Sequence, residues 1–267
     1  MKKTYIIPGF LTIAALCCLF ACKRDMELKN KPGYPAGTAL IKFIDVAPNL
    51  GSVLNNNADT FNILINGQKV TGFTPGTLSA MVFGATYPFA GTGNGYASVP
   101  AGNVEIKLVK GFNTLDSVVL ATLHATLEAD KYYSLIITDS INSPRDSSKI
   151  FVNDAFIPLT PGYFGLRFVN AALNDTGNVD IWSTRNNRTI FSGAKPGSIS
   201  AFTSQFYTSI LSDTLFVRRS GTLIGLDTLV TVNFANNRSY TIVYKGNALT
   251  NKTSDPKRRH LINYLNQ

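Results

Sequence analysis

The chain has 267 residues, a formal net charge of +9 and three cysteines, all within the first 22 positions. This length allows one large or two average domains, and the lack of thiols after Cys22 excludes cysteine nucleophiles, thiolate metal sites and disulfides there. The positive charge either attracts anionic glycans or simply provides solubility. The sequence lacks a basic helix with interleaved aromatics, which is the pattern that would indicate nucleic-acid binding.

The N-terminus has the three parts of an export signal. Lys2 and Lys3 precede an apolar run over about residues 6–20, which ends at the small residue Ala21. The run is shorter than the roughly 20 apolar residues that a comfortable membrane-spanning helix needs. We therefore expect residues 1–21 to be a signal peptide.

The residues around the expected cleavage point carry a resemblance. Leu19-Phe20-Ala21-Cys22 resembles the lipobox of bacterial lipoproteins. The resemblance implies a diacylglyceryl thioether and acyl groups such as palmitate on Cys22, which would anchor the chain stably in a membrane. The alternative is a plain signal peptide or signal anchor with an incidental cysteine. Lys23, in place of the Asp that resembles an inner-membrane retention signal, implies the outer membrane, facing the periplasm or the cell surface.

The rest of the chain reads as a tether followed by strands. Residues 22–37 are charged and rich in Pro and Gly, which predicts a flexible tether. From residue 38 onward, short runs of β-branched and aromatic residues alternate with turn residues, and Asn66-Gly67 indicates a tight hairpin. The predicted strands are 39–46, 60–65, 69–74, 97–100, 104–110, 115–127, 132–139, 164–171, 177–183, 189–192, 214–219, 226–234 and 240–245.

The later strands repeat the earlier ones in the same order. The aligned blocks are 40–49 with 165–174, 61–63 with 179–181, 115–119 with 226–230, and 130–136 with 237–243. The repeat predicts an all-β protein of two tandem immunoglobulin-like β-sandwich domains, at residues 38–155 and 156–267.

Three stretches of the first repeat resemble a known family. They are the strand end Phe43-Ile44-Asp45-Val46-Ala47-Pro48-Asn49, the hairpin Asn62-Ile63-Leu64-Ile65-Asn66-Gly67 and the segment Tyr96-Ala97-Ser98-Val99-Pro100-Ala101-Gly102-Asn103-Val104. Together they are similar to the DUF4397 family of secreted and lipoprotein β domains. The resemblance implies an extracytoplasmic β-sandwich of a kind common in Bacteroidota, and it assigns no activity.

The residues that carry chemistry are sparse. The chain has no Gly-x-Ser-x-Gly, phosphate-loop or His-Glu-x-x-His motif, and its only histidines are His124 and His260. His124 is expected on the polar face of a strand, and His260 in a basic stretch near the C-terminus. We therefore predict no enzyme activity, no metal and no cofactor. Carboxylate-dependent glycan hydrolysis stays open, because such acids come from distant strands.

Two segments are candidates for binding. Four aromatic residues crowd the long insertion at residues 78–101, and they either form an exposed ligand-binding loop or fold back to cap the sandwich. These residues are Phe83, Tyr87, Phe89 and Tyr96. Residues 251–267 pass from a basic turn into an apolar run, which predicts a last strand or a docked tail; binding of this tail to an anionic surface is a further alternative.

These expectations combine into a non-catalytic outer-membrane lipoprotein that binds or scaffolds a glycan or an envelope protein. The alternatives are a carboxylate-dependent glycan hydrolase and a structural adhesin subunit.

Overall fold

The structure is a computed structural model that describes residues 35–48, 60–71, 80–88, 95–110, 118–138, 149–172, 174–207, 212–250 and 253–267. Ala36–Gln267 form one compact unit. The signal peptide, Cys22, most of the tether and Phe89 lie outside the described residues. Among the described residues, no helix is long and apolar enough to cross a membrane.

The described residues in the first half of the compact unit form nine strands in two sheets. The strands are β1 Thr38–Asp45, β2 Phe61–Ile65, β3 Gln68–Lys69, β4 Thr86–Tyr87, β5 Ala97–Pro100, β6 Gly102–Lys110, β7 Val119–Leu127, β8 Tyr132–Ile137 and β9 Lys149–Asn153. One sheet has the order β4-β1-β8-β9, with β5 also paired to β1, and the other has the order β3-β2-β6-β7.

In the second half, the residues that the structure describes form eight strands, again in two sheets. The strands are β10 Tyr163–Asn170, β11 Val179–Ser183, β12 Arg188–Ala194, β13 Thr203–Phe206, β14 Asp213–Arg219, β15 Gly225–Val232, β16 Ser239–Lys245 and β17 His260–Leu265. The sheets have the orders β13-β10-β16-β17 and β12-β11-β14-β15.

The two halves share an uncommon pairing. β1 pairs with β8 in parallel, and β10 pairs with β16 in parallel. Each of these strands is buried along almost its whole length, whereas β6 and β11 alternate between buried and partly exposed residues. A sheet whose strands are buried on both faces must be covered on both faces. The β1 and β10 sheets are therefore inner sheets, and the β2 and β11 sheets are outer ones.

Three hydrophobic clusters explain this layering. The first lies between the sheets of the first half and includes Ile41, Phe43 and Leu135. The second lies between the sheets of the second half. The third joins the two inner sheets through their opposite faces, and its buried members are Ile44, Val46, Ile136, Val169, Ala171 and Val243. Because side chains alternate along a strand, β1 and β8 supply one cluster with odd-numbered residues and the other with even-numbered ones.

The sequence predicted much of this fold. The structure confirms the all-β class, and each half has two sheets around a core, as in a β-sandwich. Asn66 and Gly67 both have positive φ, 49° and 77°, and they join β2 to β3 in the expected hairpin. The C-terminal apolar run is a last strand, β17, paired with β16. The immunoglobulin-like detail stays a prediction.

The sequence missed the short strands β4 and β13 and the strand β9. β4 has only two residues and β13 only four, too few to show a clear alternation. β9 lies between the strands predicted at 132–139 and 164–171, where the sequence predicts no strand, and its Ile150, Phe151 and Val152 are all partly buried at the edge of the inner sheet. The predicted strand at 69–74 is shorter in the structure, because β3 ends at Lys69.

Candidate functional site

Three of the four aromatic residues predicted as a ligand-binding loop lie in described parts of the chain, and these three are not exposed together. Tyr96 is buried, with 4% of its surface exposed, whereas Phe83 and Tyr87 are half-buried. Tyr87 lies on β4 opposite Phe43 and packs against the first core. The described aromatics thus match the alternative in which they fold back onto the sandwich. Ligand binding by this loop, including Phe89, stays a prediction.

Tyr96 belongs to a buried polar network between the inner sheets, which we call the seam. Its centre is the Arg167 side chain, only 2% exposed, which forms an ion pair with Asp154. The same guanidinium donates hydrogen bonds to the Ser134 hydroxyl (3.1 Å) and the Thr241 hydroxyl (2.8 Å). A buried charge is tolerated only when it is paired and hydrogen-bonded, and Arg167 meets both conditions.

The network continues from Asp154 to the C-terminus. Asp154 Oδ2 accepts hydrogen bonds from the hydroxyls of Tyr96 and Ser134, both at 2.6 Å. The Asn266 amide donates to Tyr96 Oη at 2.8 Å, and Asn266 Oδ1 accepts from the Thr241 hydroxyl at 2.6 Å. This continuous series of hydrogen bonds therefore links residues of both halves. Burial raises the pKa of Tyr96 well above its usual value, and the nearby Asp154 charge adds to this rise.

A second cation, Lys42, enters the seam from β1. Its ammonium donates a hydrogen bond to the Leu265 carbonyl and lies 5.0 Å from the centre of the Tyr96 ring. Burial, with a smaller contribution from the neighbouring Arg167 charge, lowers the pKa of Lys42 to about 8, although the Asp154 charge opposes this shift.

The far end of the inner-sheet contact holds a third buried cation. Lys245 Nζ lies 3.8 Å from the centre of the Phe83 ring, and the Tyr264 hydroxyl donates to the Gly84 carbonyl at 3.2 Å. Burial lowers the pKa of Lys245 to about 8, against the opposing attraction of Asp45. Burial also raises the pKa of Tyr264. Phe83 is therefore a packing partner of the second half.

Sequence reasoning missed the seam, although one signal points to it. Lys42 and Arg167 each stand inside an apolar run, Leu40-Ile41-Lys42-Phe43-Ile44 and Leu166-Arg167-Phe168-Val169, at positions that the predicted repeat aligns. A cation in a strand that is apolar on both sides predicts a buried, paired charge. Read by simple alternation, the same cation looks like a solvent-facing residue.

The outer sheet of the first half carries a groove of about 530 Å³ on its exposed face. It lies where β6, β7 and the β2–β3 turn meet, and its polar lining residues are Asn66, Asn103, Glu105, His124 and Thr126. Glu105 and His124 are directly opposite each other in the β6–β7 pairing. His124 is exposed on the polar face of its strand, as predicted.

The two asparagines of the groove are held in fixed orientations. Asn66 Oδ1 accepts the Glu105 backbone N–H at 2.9 Å, and Asn103 Oδ1 accepts the Thr126 hydroxyl at 2.8 Å. Because each carbonyl oxygen is engaged, each amide nitrogen keeps both donors for a ligand, with no hydrogen bond to another described residue. Glu105 also pairs with Lys107 at 2.6 Å. The groove thus offers amide donors, one carboxylate and one imidazole.

The basic C-terminal stretch is engaged in ion pairs. Arg259 lies 3.1 Å from Asp175, and both Arg258 (3.5 Å) and His260 (3.1 Å) lie near Asp227. Burial on its own would raise the pKa of Asp175, but hydrogen bonds from Arg219 and Arg259 outweigh it and hold the pKa below its usual value. These contacts fix the approach to β17 against the second half. Within the described ranges, no cluster of three or more His, Cys, Asp or Glu residues could hold a metal.

The fold and these sites define the class as an all-β protein with four layered sheets. The family model described as Domain of unknown function (DUF4397) matches residues 52–182. The match supports the DUF4397 domain indicated by the sequence motifs, and it runs from the stretch before β2 into β11 of the second half. A comparison with curated proteins found no match.

Proposed function

We propose that the chain is a non-catalytic lipoprotein of the bacterial cell envelope that binds a glycan through the groove on its first outer sheet. The observation that carries the binding role is the pair of pre-oriented asparagines beside Glu105 and His124. Amide donors, a carboxylate and an imidazole on a rigid sheet suit the vicinal hydroxyl groups of a sugar. Binding of a partner protein by the same face is the alternative ligand.

The anchor in this proposal is Cys22, supported by the lipobox resemblance. Two or more acyl chains give stable membrane attachment, which one chain does not. In the proposal the protein lies at the outer membrane of a Bacteroidota-type cell. Protease shaving of intact cells, with wild type and Cys22→Ala, tests this part. Membrane partitioning of the Cys22→Ala variant would contradict the anchor.

The unit itself is proposed to be two tandem copies of one domain. Support comes from the strand pairing, because Lys42 is opposite Ser134 on β8 and Arg167 is opposite Thr241 on β16. Tyr96 directly precedes β5 and Phe202 directly precedes β13. The rings of Tyr96 and Phe202 lie 5.0 Å and 4.6 Å from the two cations. In this reading the groove belongs to the first copy and the second copy acts as its rigid support.

Glycan binding is tested on the compact unit 36–267 with an array of bacterial envelope polysaccharides. We expect Asn103→Ala and His124→Ala to weaken binding at least tenfold. Thr122→Ala, an exposed change on the same strand outside the groove lining, is the matched control and should bind as wild type. Equal binding by all variants, or no binding to any polysaccharide, would contradict the groove.

The hydrolase alternative needs two carboxylates flanking one bond, separated by about 5–9.5 Å. Glu105 is the one carboxylate among the described residues that line the groove, and it forms an ion pair with Lys107. The groove therefore favours binding over glycoside cleavage. Release of reducing sugar from any array polysaccharide would reverse this preference.

A further inference from the structure

The free edge of β7 differs from the other sheet edges of the described chain. β7 has nine residues, Val-Leu-Ala-Thr-Leu-His-Ala-Thr-Leu, with no Lys, Arg, Asp, Glu, Pro or Gly. Within the described residues it pairs with β6 on one side only, and the one irregularity of that pairing lies beside Leu108 and Val109 of β6. Val118 and Val119 at its start are 66% and 49% exposed. A long, apolar and unprotected edge is a template for strand pairing.

The corresponding strand of the second half is protected. β15 has eight residues and includes Asp227, whose Oδ2 accepts the Leu261 N–H of β17 at 2.6 Å. Arg258 and His260 also contact Asp227, so the polypeptide leading into β17 lies against this edge. Other edges of the described sheets are short, like β3 and β13, or begin with a cation, like β9 and β12. The edge strand β17 has six residues, and its Leu265 carbonyl accepts a hydrogen bond from Lys42 of the first half. Charge, short length and cover are common defences against edge pairing, and β7 shows none of them in the part of the chain that the structure describes.

We propose that β7 pairs antiparallel with β7 of a second copy of this chain, which joins two outer sheets into one. The composition of β7 favours a second copy as the partner. β7 contains no Lys, Arg, Asp or Glu, so pairing it with itself places no like charges opposite each other, even though the net charge of +9 makes whole copies repel. Self-pairing about a two-fold axis also uses both free edges, so that the assembly closes as a dimer.

The dimer has a geometric consequence for the groove. Two identical antiparallel strands in one sheet are related by an axis perpendicular to that sheet, so the outer faces of both copies point the same way. His124 and Thr126 of β7 line the groove, and each copy therefore places its groove on the same face, close to the two-fold axis. A repeating polymer could then occupy both grooves with enhanced avidity. The pairing itself does not depend on the proposed glycan binding.

The test measures the mass of the unit 36–267 by sedimentation over a concentration series. We expect a monomer–dimer equilibrium that Val119→Lys/Thr122→Lys shifts at least tenfold towards monomer, since edge lysines oppose strand pairing. Both positions are exposed and outside the groove lining. The matched control is Val230→Lys, a 64%-exposed position on β15, which should leave the equilibrium unchanged. Circular dichroism of each variant checks folding.

A cross-linking experiment gives an independent readout. The unit 36–267 has no cysteine, so single cysteines at positions 120 to 124 can form a disulfide only between copies. We expect efficient oxidation at one or two adjacent positions, which marks the centre of the antiparallel pair. A monomer at every concentration, or a dimer that the β7 lysines do not weaken, would overturn the proposal. Polysaccharide binding by the lysine variant is measured separately, so the two proposals can fail independently.

Discussion

Lys42 and Arg167 occupy matching positions on β1 and β10, and each donates a hydrogen bond into the opposite half of the molecule. Lys42 reaches the Leu265 carbonyl of β17, whereas Arg167 reaches Asp154, the residue directly after β9. Each cation also lies over an aromatic ring that directly precedes an edge strand. This reciprocal exchange, together with the third hydrophobic cluster, makes the two halves a single structural block.

The buried ion pair is the most sensitive part of the seam. We expect Arg167→Met to lower the free energy of unfolding by about 3–5 kcal/mol, because Asp154 is then left buried without its cation. Urea unfolding of the unit 36–267 measures the change. The control is Lys107→Ala, which removes a partly exposed ion pair and should cost at most about 1 kcal/mol. Similar losses of unfolding free energy in the two variants would contradict the prediction that the buried Arg167–Asp154 pair matters more than the partly exposed pair.

The buried lysines predict an unusual dependence of stability on pH. Lys42 and Lys245 have pKa values of about 8 when folded, below the lysine value of 10.5. Between about pH 8 and pH 10.5 the unfolded state binds more protons than the folded state. The free energy of unfolding therefore rises as the pH increases from about 8. Above about pH 10 the trend reverses, because Tyr96 and Tyr264 have raised pKa values and ionise first in the unfolded state.

Urea midpoints at pH 7.5, 8.5 and 9.5 measure this rise. The double variant Lys42→Met/Lys245→Met removes both titrating groups and should flatten the profile. The Lys107→Ala variant should keep the wild-type slope. A wild-type profile that falls steadily from pH 7.5 to 9.5 would contradict the burial of charged lysines.

The position of Tyr96 separates a structural role from a ligand-binding one. Tyr96→Phe keeps the ring but removes the hydroxyl that links Asp154 to Asn266. We expect a loss of about 1–3 kcal/mol in unfolding free energy, because buried partners lose a hydrogen bond. Binding to envelope polysaccharides should not change. Weaker polysaccharide binding by Tyr96→Phe without a loss of stability would indicate that Tyr96 contacts the ligand.

The inner strands could be predicted because apolar runs near 39–46, 132–139, 164–171 and 240–245 are strong strand signals. The surfaces that pack against these strands could not be predicted, because a run that is buried on both faces does not show which surface covers it. The contact between the inner sheets is made by residues far apart in sequence, such as Ile44 with its cluster neighbour Val243. Only packing in three dimensions reveals that the predicted binding aromatics Phe83 and Tyr96 serve this contact.

The groove was also beyond sequence reasoning. His124 was correctly placed on a polar strand face, but its neighbours come from a different strand and a turn. The sequence predicts the turn geometry of Asn66, and the structure adds that the Asn66 side chain accepts a hydrogen bond from the Glu105 backbone N–H. Cross-strand register decides which residues share a face, and the sequence does not give that register.

The most direct test of the single-block account uses the one tryptophan of the chain, Trp182, which lies on β11 in the second half. Ile106→Ala removes fully buried side-chain volume from the first core. Urea unfolding is then followed by Trp182 fluorescence and by circular dichroism. We predict that Ile106→Ala lowers the midpoint of both signals equally, because the halves unfold together. A Trp182 midpoint that does not move, while circular dichroism shows a separate early transition, would contradict the account.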